Sequence, residues 1–163
     1  MRQQRDRRDQ KEFIRSEFEN KVVEIKRVTR VVAGGKRMRF RALVVIGDKN
    51  GRVGIGLKKG ADVAEAVSKA TAQARKTLKK IPIVGGTIPY AVKQKYKAAL
   101  VFLKPAKPGS GITAGGPVHA VLTLVGIKNI SSKMLGASNK VSNVRATFEA
   151  LKSLKFPDQV ISK

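Results

Sequence analysis

Residues Arg37–Ile46 read RMRFRALVVI, and this stretch decides the fold of the first half of the chain. Its side chains alternate with a period of two, as the two faces of a β-strand do. The apolar residues at even positions point one way, and the three arginines at odd positions point the other way. The β-rich run Lys21–Val32 precedes this strand, and Ala33–Lys36 supplies a turn. The sequence therefore predicts a hairpin with three guanidinium groups on one face.

A third strand and a helix are predicted to complete the first unit. Asp48–Gly51 is a strong turn signal, and Arg52–Leu57 reads as the third strand. Asp62 and Glu65 have the spacing of a helix N-cap residue and its reciprocal partner. The apolar face of the helix comprises Val63, Val67, Ala70, Ala74 and Leu78. The first unit is thus strand, strand, strand, helix.

The second half of the chain predicts a separate unit of strands and helices. Its order is strand Thr87–Lys93, strand Ala98–Lys104, loop 105–116, helix Pro117–Val125 ended by Gly126, weak strand Ile127–Ile130 and helix Lys140–Leu154. We therefore expect an α+β protein with a β-β-β-α domain and a β-β-α-β-α domain. The expected divisions are a flexible basic arm over 1–16, an N-terminal domain over 17–80, a C-terminal domain over 81–156 and a short tail over 157–163.

Charge points to the partner of this chain. The 163 residues include 35 Lys and Arg but 11 Asp and Glu, which gives a net charge of +24. Beyond residue 80 the acids are Glu149 and Asp158. Because 42% of the residues are hydrophobic, the charge decorates a folded core. Such a surface repels itself, so we expect a polyanion beside it, with nucleic acid as the first candidate.

Several function classes find no support in the sequence. There is no cysteine, no apolar run long enough to span a membrane, and no apolar segment behind Met1, so we expect a cytoplasmic protein. His119 is flanked by Val118 and Ala120, which cannot orient its ring, and it reads as structural or phosphate-facing. No carboxylate pair suggests acid/base chemistry. We expect no enzyme activity, no cofactor, no metal site and no small-molecule substrate.

The glycine-rich segment Gly54–Gly60 resembles a phosphate loop only superficially. Its spacing differs by one residue from that of dinucleotide-binding loops, and Lys79 and Lys80 stand where a ribose-binding acid is needed. We interpret the glycines as residues that let the third strand bend into the helix. Lys58 and Lys59, at the predicted helix start, remain candidates for phosphate contact.

The hairpin is the predicted nucleic-acid site. Arginine dominates there, as bidentate phosphate contact favours, and Gly34 and Gly35 let the tip approach a backbone closely. With no Trp and few exposed aromatics, recognition of the shape and backbone of folded RNA is expected. The cluster Lys93, Lys95 and Lys97 reads equally well as a solvated face. The predicted RNA-binding residues are Arg27, Arg30, Gly34, Gly35, Lys36, Arg37, Arg39, Arg41, Lys49, Arg52, Lys58, Lys59, Lys104 and Lys107.

Several segments also resemble a known family in the same order. They are Arg30–Phe40 (RVVAGGKRMRF), Val44–Gly56 (VVIGDKNGRVGIG), Gly85–Pro89 (GGTIP), Lys104–Ala106 with Gly109–Ile112, Ala114–Pro117 (AGGP) and Asn143–Thr147 (NVRAT). The chain resembles small ribosomal subunit protein S5 in its bacterial form over about residues 20 to 152. His119, Thr123, Tyr90 and Lys140 depart from the residues usual in that family.

The resemblance implies a fold and a function. The N-terminal domain is expected to be similar to a double-stranded-RNA-binding fold, and the C-terminal domain to contain a left-handed β-α-β crossover. Family members bind small-subunit ribosomal RNA, contact proteins S4 and S8, and lie near the channel through which messenger RNA enters. They support subunit assembly and influence decoding accuracy in the ribosome. Gly111, Gly115, His119 and Arg145 are the expected protein contacts.

Two rival readings remain at this point. The C-terminal fold of the family is shared with phosphotransfer enzymes, but the carboxylate cluster or phosphate loop that an enzyme needs is missing from residues 81–163. A free-standing DNA-compacting protein would also be strongly basic. Competition between duplex DNA and folded ribosomal RNA distinguishes that reading from an RNA-binding ribosomal protein.

Overall fold

The computed structural model of the protein describes residues 17–155. The predicted basic arm and the predicted tail lie outside these residues. The elements, in chain order, are β1 (Glu19–Val32), β2 (Gly35–Gly47), β3 (Arg52–Gly60), α1 (Val63–Lys76), β4 (Lys79–Lys80), β5 (Val92–Tyr96), β6 (Ala99–Pro105), β7 (Ile112–Thr113), α2 (Gly116–Val125), β8 (Ile130–Met134) and α3 (Lys140–Ser153). The predicted α+β class is confirmed.

The first sheet is antiparallel, with strand order β1-β2-β3-β4. The predicted hairpin and third strand are present, but β3 continues to Gly60, three residues beyond its predicted end. Strand β4 was not predicted, because its two lysines carry no periodic signal and only their pairing with Arg52 and Val53 makes them a strand.

Helix α1 lies directly on β3 through small residues. Ala66, Ala70 and Ala74 are fully buried on the helix side, and Gly54 and Gly56 face them from the strand. A Cβ at either glycine would fall within 2.2 Å of a helix carbonyl oxygen. Gly54 and Gly56 therefore serve close packing of the helix, and the interpretation that the glycines also let the strand bend into the helix stays a prediction.

The predicted reciprocal cap of α1 forms only in part. Asp62 is the N-cap residue, but its side chain accepts no capping hydrogen bond. The Glu65 carboxylate accepts a 2.5 Å hydrogen bond from the N–H of Ala61, one residue before the cap, and also binds Lys69. These two contacts, with Lys69 first, lower the pKa of Glu65.

The second sheet is mixed, with order β5-β6-β8-β7, and β7 runs parallel to β8. Two strand predictions here are misplaced. The strand expected over Thr87–Lys93 is instead β5 at Val92–Tyr96, and the weak strand expected at 127–130 begins at Ile130. The short strand β7 lies in the predicted loop 105–116. Strands β7 and β8 flank α2 as a β-α-β crossover, and its left-handed sense stays a prediction.

The two later helices match their predicted bounds closely. Helix α2 has Pro117 in its first turn and ends at Gly126, whose φ of +91° is left-handed. Helix α3 begins at Lys140, and the Asn139 side chain caps it by accepting from the N–H of Val141 at 3.0 Å. The helix start is therefore well formed with lysine at position 140.

The second half of strand β2, from Ala42 to Gly47, is buried on both faces and joins the two halves of the molecule. Ala42, Val44 and Ile46 pack with α1, whereas Leu43 and Val45 belong to the larger core that α2, α3 and the second sheet build. Backbone bonds reinforce this contact between the β2–β3 turn and the end of α2: Lys49 N–H donates to Leu124 O at 3.0 Å, and Gly51 N–H to Val125 O at 2.9 Å. The predicted domain boundaries stay a prediction, but the halves share one apolar interior.

Candidate nucleic-acid interface

The hairpin of β1 and β2 concentrates cations on one of its two faces. Residues directly opposite in an antiparallel pair point to the same side. The register places Arg30 opposite Arg37, Val28 opposite Arg39 and Lys26 opposite Arg41, and β3 adds a lysine opposite Arg41. We call this surface the arginine face. Its cations are Lys26, Arg30, Arg37, Arg39, Arg41 and Lys59.

The arginine face is accessible and concave. Its cationic residues are exposed, apart from the half-buried Arg41. A surface depression of about 310 Å³ is lined by Val28, Thr29, Arg30, Arg37, Arg39 and Lys59. The carboxylate of Glu24 lies 3.5 Å from Lys26 Nζ at the inner edge of the face. Among residues 17–155, no acid forms an ion pair with the outer cations of the face, so they can meet an external anion.

Three predicted RNA-binding cations close to the arginine face point to the other side of the same strands. Arg27 is opposite Phe40, and Lys36 is opposite Val31, so both point to the other side of the hairpin. Lys58 is opposite Ala42 and points to that same side. The predicted hairpin cations all lie on β1 and β2, but strand alternation divides them between the two faces of the hairpin.

The placement of Lys58 and Lys59 at a helix start is also wrong. Both residues belong to β3, and α1 begins only at Val63. Lys59 nonetheless joins the arginine face through its pairing with Arg41. The predicted glycines, Gly34 and Gly35, form the hairpin tip, where added Cβ atoms would meet nothing within 4 Å. The tip therefore leaves room for close approach of a backbone.

Lys49 and Arg52, two other predicted RNA contacts, are engaged within the protein. Lys49 Nζ lies 2.6 Å from a carboxylate oxygen of Glu19. The Arg52 guanidinium binds Asp48 Oδ2 at 2.5 Å and also binds Glu17. It lies 4.9 Å from the ring centroid of Phe18. These contacts tie the start of β1 to the β2–β3 turn, so both cations have a structural role that the sequence did not reveal.

Asp48 organises this turn from a nearly buried position, with its side chain 2% exposed. Its Oδ1 accepts from the N–H groups of Asn50 and Arg52 at 2.8 and 2.9 Å. Burial by itself raises the pKa of Asp48, but the hydrogen bonds from the Arg52 side chain and from the two N–H groups outweigh it. The pKa of Asp48 therefore lies below its ordinary value.

Replacing Asp48 with Asn should lower the free energy of unfolding by about 1.5–3 kcal/mol near neutral pH, because the charged bond to Arg52 is lost. A lowered folded-state pKa stabilises the protein above the unfolded value of about 3.9, and this contribution disappears as pH falls through the folded value. The difference in the free energy of unfolding between Asp48→Asn and the parent protein should therefore shrink below about pH 4. Urea unfolding at several pH values measures it.

Glu149→Gln is the matched control for this measurement. The Glu149 carboxylate lies 3.9 Å from Lys152 Nζ, and both side chains are about half exposed. Surface pairs of this kind contribute little, so we expect a change within about 0.5 kcal/mol. If the loss of unfolding free energy in Asp48→Asn stays constant from pH 7 to pH 3, the ionised Asp48 carboxylate does not stabilise the fold as we expect.

Comparison with known families accounts for both halves of the chain. Residues 18–82 match the family model described as "Ribosomal protein S5, N-terminal domain", and residues 94–163 match "Ribosomal protein S5, C-terminal domain". Together the two matches cover most of the chain. The chain belongs to the ribosomal protein S5 family. It is thus a protein of the small ribosomal subunit, in a structural family that generally binds ribosomal RNA, and its place is the ribosome, which is cytoplasmic in general.

In this S5-family chain, Lys104 and Lys107 belong to the second half of the molecule and not to the arginine face. Lys104 lies near the end of β6, and Lys107 follows in the loop toward β7. The side-chain oxygen of Asn129 holds this loop by accepting from the N–H groups of Gly109 and Gly111 at 2.9 and 3.2 Å. Any RNA contact by these lysines is therefore separate from that of the hairpin.

Three of the four predicted protein-contact residues lie near one another. Gly111 and Gly115 flank β7, and the N–H of His119 donates to Gly115 O at 2.8 Å in the first turn of α2. Thr123 contacts His119 here: the Thr123 hydroxyl lies 3.3 Å from His119 Nδ1 and donates to His119 O at 2.9 Å. The His119 ring is thus held on the helix surface.

Arg145 lies elsewhere. It projects from α3, and its Nη1 donates to the Tyr96 hydroxyl at 2.6 Å. Both residues line a cleft of about 240 Å³ between the two halves of the chain, together with Leu57, Gln73 and Phe148. Tyr90 holds the segment that follows α3, since its hydroxyl accepts from Lys155 N–H at 3.1 Å. Arg145 therefore supports the junction of the halves and not the surface near His119.

Residues 17–155 contain no helix that is long and apolar enough to span a membrane. Within the same residues, no group of three or more His, Asp or Glu side chains is arranged to hold a metal ion.

Proposed function

We propose that this chain, with features of the bacterial form of its family, binds folded small-subunit ribosomal RNA through the arginine face. The observation that carries the proposal is the strand register, which aligns Arg30 with Arg37 and sets Arg39 and Arg41 on the same side. Guanidinium groups match phosphate oxygens in bidentate geometry. A row of them on a protruding hairpin suits a phosphate backbone better than any single small anion.

Recognition of RNA shape follows from the chemistry of this surface. The face offers guanidinium and ammonium groups beside Val28 and Thr29, without an exposed aromatic ring on which a base can stack. Contacts of this kind position a protein on a nucleic acid without reading base edges. Folded RNA with closely spaced backbones is therefore the preferred ligand, ahead of unpaired strands.

The wider role includes subunit assembly and decoding accuracy, with proteins S4 and S8 as neighbours and messenger RNA passing nearby. The resemblance to the S5 family supports these assignments. The group formed by Gly111, Gly115 and His119 is a discrete surface that a neighbouring protein can cover. It lies in the second half of the chain, whereas the hairpin lies in the first. A hairpin that holds RNA and a second half that contacts both RNA and neighbouring proteins suit a component that joins separate parts of a subunit.

Replacing Arg37, Arg39 and Arg41 together with Gln tests the RNA-binding face. If six to ten cations contact phosphates, the plot of log affinity against log salt has a slope of about −5 to −9. Removal of three contacts should make that slope less steep by about two to three units. The measurement is binding of a folded small-subunit ribosomal RNA fragment between about 50 and 200 mM salt.

A charge-matched control uses the other side of the same strands. Replacing Arg27, Lys36 and Lys58 with Gln removes the same charge from the opposite face. We expect the slope to change by less than about one unit, since long-range attraction falls but no phosphate contact is lost. Equal effects of the two triple variants, or stronger binding to duplex DNA than to the RNA fragment, would reject the proposal.

A further inference from the structure

The second sheet presents a lysine-rich surface on the side away from the helices. Ala99, Val101 and Leu103 of β6 point into the core, where α2 and α3 pack. The alternate residues Leu100, Phe102 and Lys104 therefore point outward. We call this outward surface the lysine face. Its residues are Lys93, Lys95, Leu100, Phe102, Lys104, Ser131 and Lys133.

The register of three strands places a phenylalanine between two lysines. Phe102 on β6 is opposite Lys93 on β5 and opposite Lys133 on β8. In the next row, Lys95 is opposite Leu100, whose carbonyl accepts from the N–H of Leu135 at 2.8 Å. Leu100 and Phe102 thus form a short apolar strip along β6, with ammonium groups on both sides of Phe102.

The exposure and charge of these groups favour an anionic partner. The four lysines are exposed, Leu100 and Phe102 are half-buried, and the Leu135 side chain is 53% exposed. No Asp or Glu occurs between residues 79 and 148 of the sequence. Glu149 is on α3, which packs against the opposite side of this sheet. Within residues 17–155, none of these four lysines forms an ion pair.

Single-stranded RNA fits this arrangement better than a duplex. Lysines two positions apart on one strand are separated by about 6.8 Å, so Lys93 and Lys95 can follow successive phosphates of an extended chain. A partly exposed ring between lysines offers a base a surface to stack on, which a paired base cannot use. An acidic protein segment would neutralise the lysines but has no base to place on Phe102.

We propose that the lysine face is a second RNA-binding surface, specific for unpaired strands and separate from the arginine face. The inference shares with the proposed function only the premise that the chain works beside RNA. It also gives the cluster at Lys93 and Lys95 a role beyond solvation.

The test measures binding of a labelled, unstructured oligouridylate to the full chain by fluorescence anisotropy. Replacing Lys93, Lys95 and Lys133 with Gln should reduce the salt slope by about two units, at roughly 0.7 per lost contact. Phe102→Leu should weaken binding about fivefold or more at constant salt, because leucine fills the space without offering a ring. Thermal unfolding of Phe102→Leu checks that the sheet is intact.

Two controls separate this proposal from the previous one. Replacing Lys76, Lys140 and Lys155 with Gln removes the same charge from other exposed positions and should leave the oligouridylate slope within about 0.5 unit. The triple variant at Arg37, Arg39 and Arg41 should lose folded-RNA binding but keep oligouridylate binding. The lysine face is not an RNA site if the two triple lysine variants have equal effects, or if replacing Lys93, Lys95 and Lys133 leaves the slope unchanged. It is also not an RNA site if that variant loses more polyglutamate binding than oligouridylate binding.

Discussion

Gly56→Ala should lower the free energy of unfolding by about 3 kcal/mol or more. A Cβ at position 56 would lie 1.9 Å from Ala70 O and 2.8 Å from Ala70 C, both in the backbone of α1. A helix backbone cannot yield as the end of a flexible side chain can. The helix must therefore move away from β3, which opens the contact that buries Ala66, Ala70 and Ala74.

Gly34→Ala is the control for this prediction. Gly34 is at the hairpin tip, where a Cβ meets nothing within 4 Å, and its φ is not in the left-handed region. We expect a change within about 0.5 kcal/mol. Urea unfolding followed by far-ultraviolet circular dichroism compares the two variants. Similar stability of both would contradict the close seating of α1 on the strand.

Gly126→Ala should lower the free energy of unfolding by at least as much as Gly56→Ala does. It should destabilise both halves of the molecule. Gly126 has φ +91°, which an alanine adopts only with strain, and its Cβ would lie 1.9 Å from Lys49 O. Lys49 belongs to the turn between β2 and β3, so the clash occurs where that turn meets α2. Because Leu43 and Val45 share a core with α2, loosening this junction weakens the first sheet as well.

Hydrogen exchange followed by mass spectrometry measures this effect segment by segment. Peptides from β2 and from α3 should lose protection together in Gly126→Ala. Gly109→Ala is the matched control, since Gly109 has a similar φ of +87° but open space around it. The loss of protection in Gly126→Ala beyond that in Gly109→Ala measures the effect of the contact between the halves. Loss confined to α2 and α3 would show that the first sheet is stable independently.

Local patterns explain why much of the first unit was predictable. The alternation in Arg37–Ile46, the turn at Asp48–Gly51 and the apolar spacing of α1 each lie within one segment, and the structure confirms all three elements. The ends of α2 and α3 were also predictable, because Pro117, Gly126 and the residues near position 140 act on the backbone locally.

The misplaced strands have a different cause. Strand β5 looked like a charged connection, because Lys93 and Lys95 point to solvent and only Val92 and Tyr96 pack inward. Strands β4 and β7 are two residues each and exist through pairing with distant partners. No periodic signal can arise from so short a segment, so these strands depend on the rest of the fold.

The candidate RNA-binding site, like the fold, could be predicted from the sequence only in part. The sequence indicated a basic hairpin, and Arg30, Arg37, Arg39 and Arg41 do align on it. It did not separate them from cations on the opposite face, because the face of each β1 residue depends on its register with β2. Nor did it show that Arg52 is held by Asp48 and Glu17, since a cation in a turn looks free until its neighbours are placed.

The amino-acid sequence by itself determined the family of this chain, its excess of positive charge and the identity of its main helices and its hairpin. These properties are local or additive, so they can be read without knowing which segments meet. Tertiary structure alone decided which cations share a surface, which are neutralised inside the protein, and that Phe102 stands between two lysines. Those outcomes depend on strand pairing and burial, which bring together residues far apart in the chain.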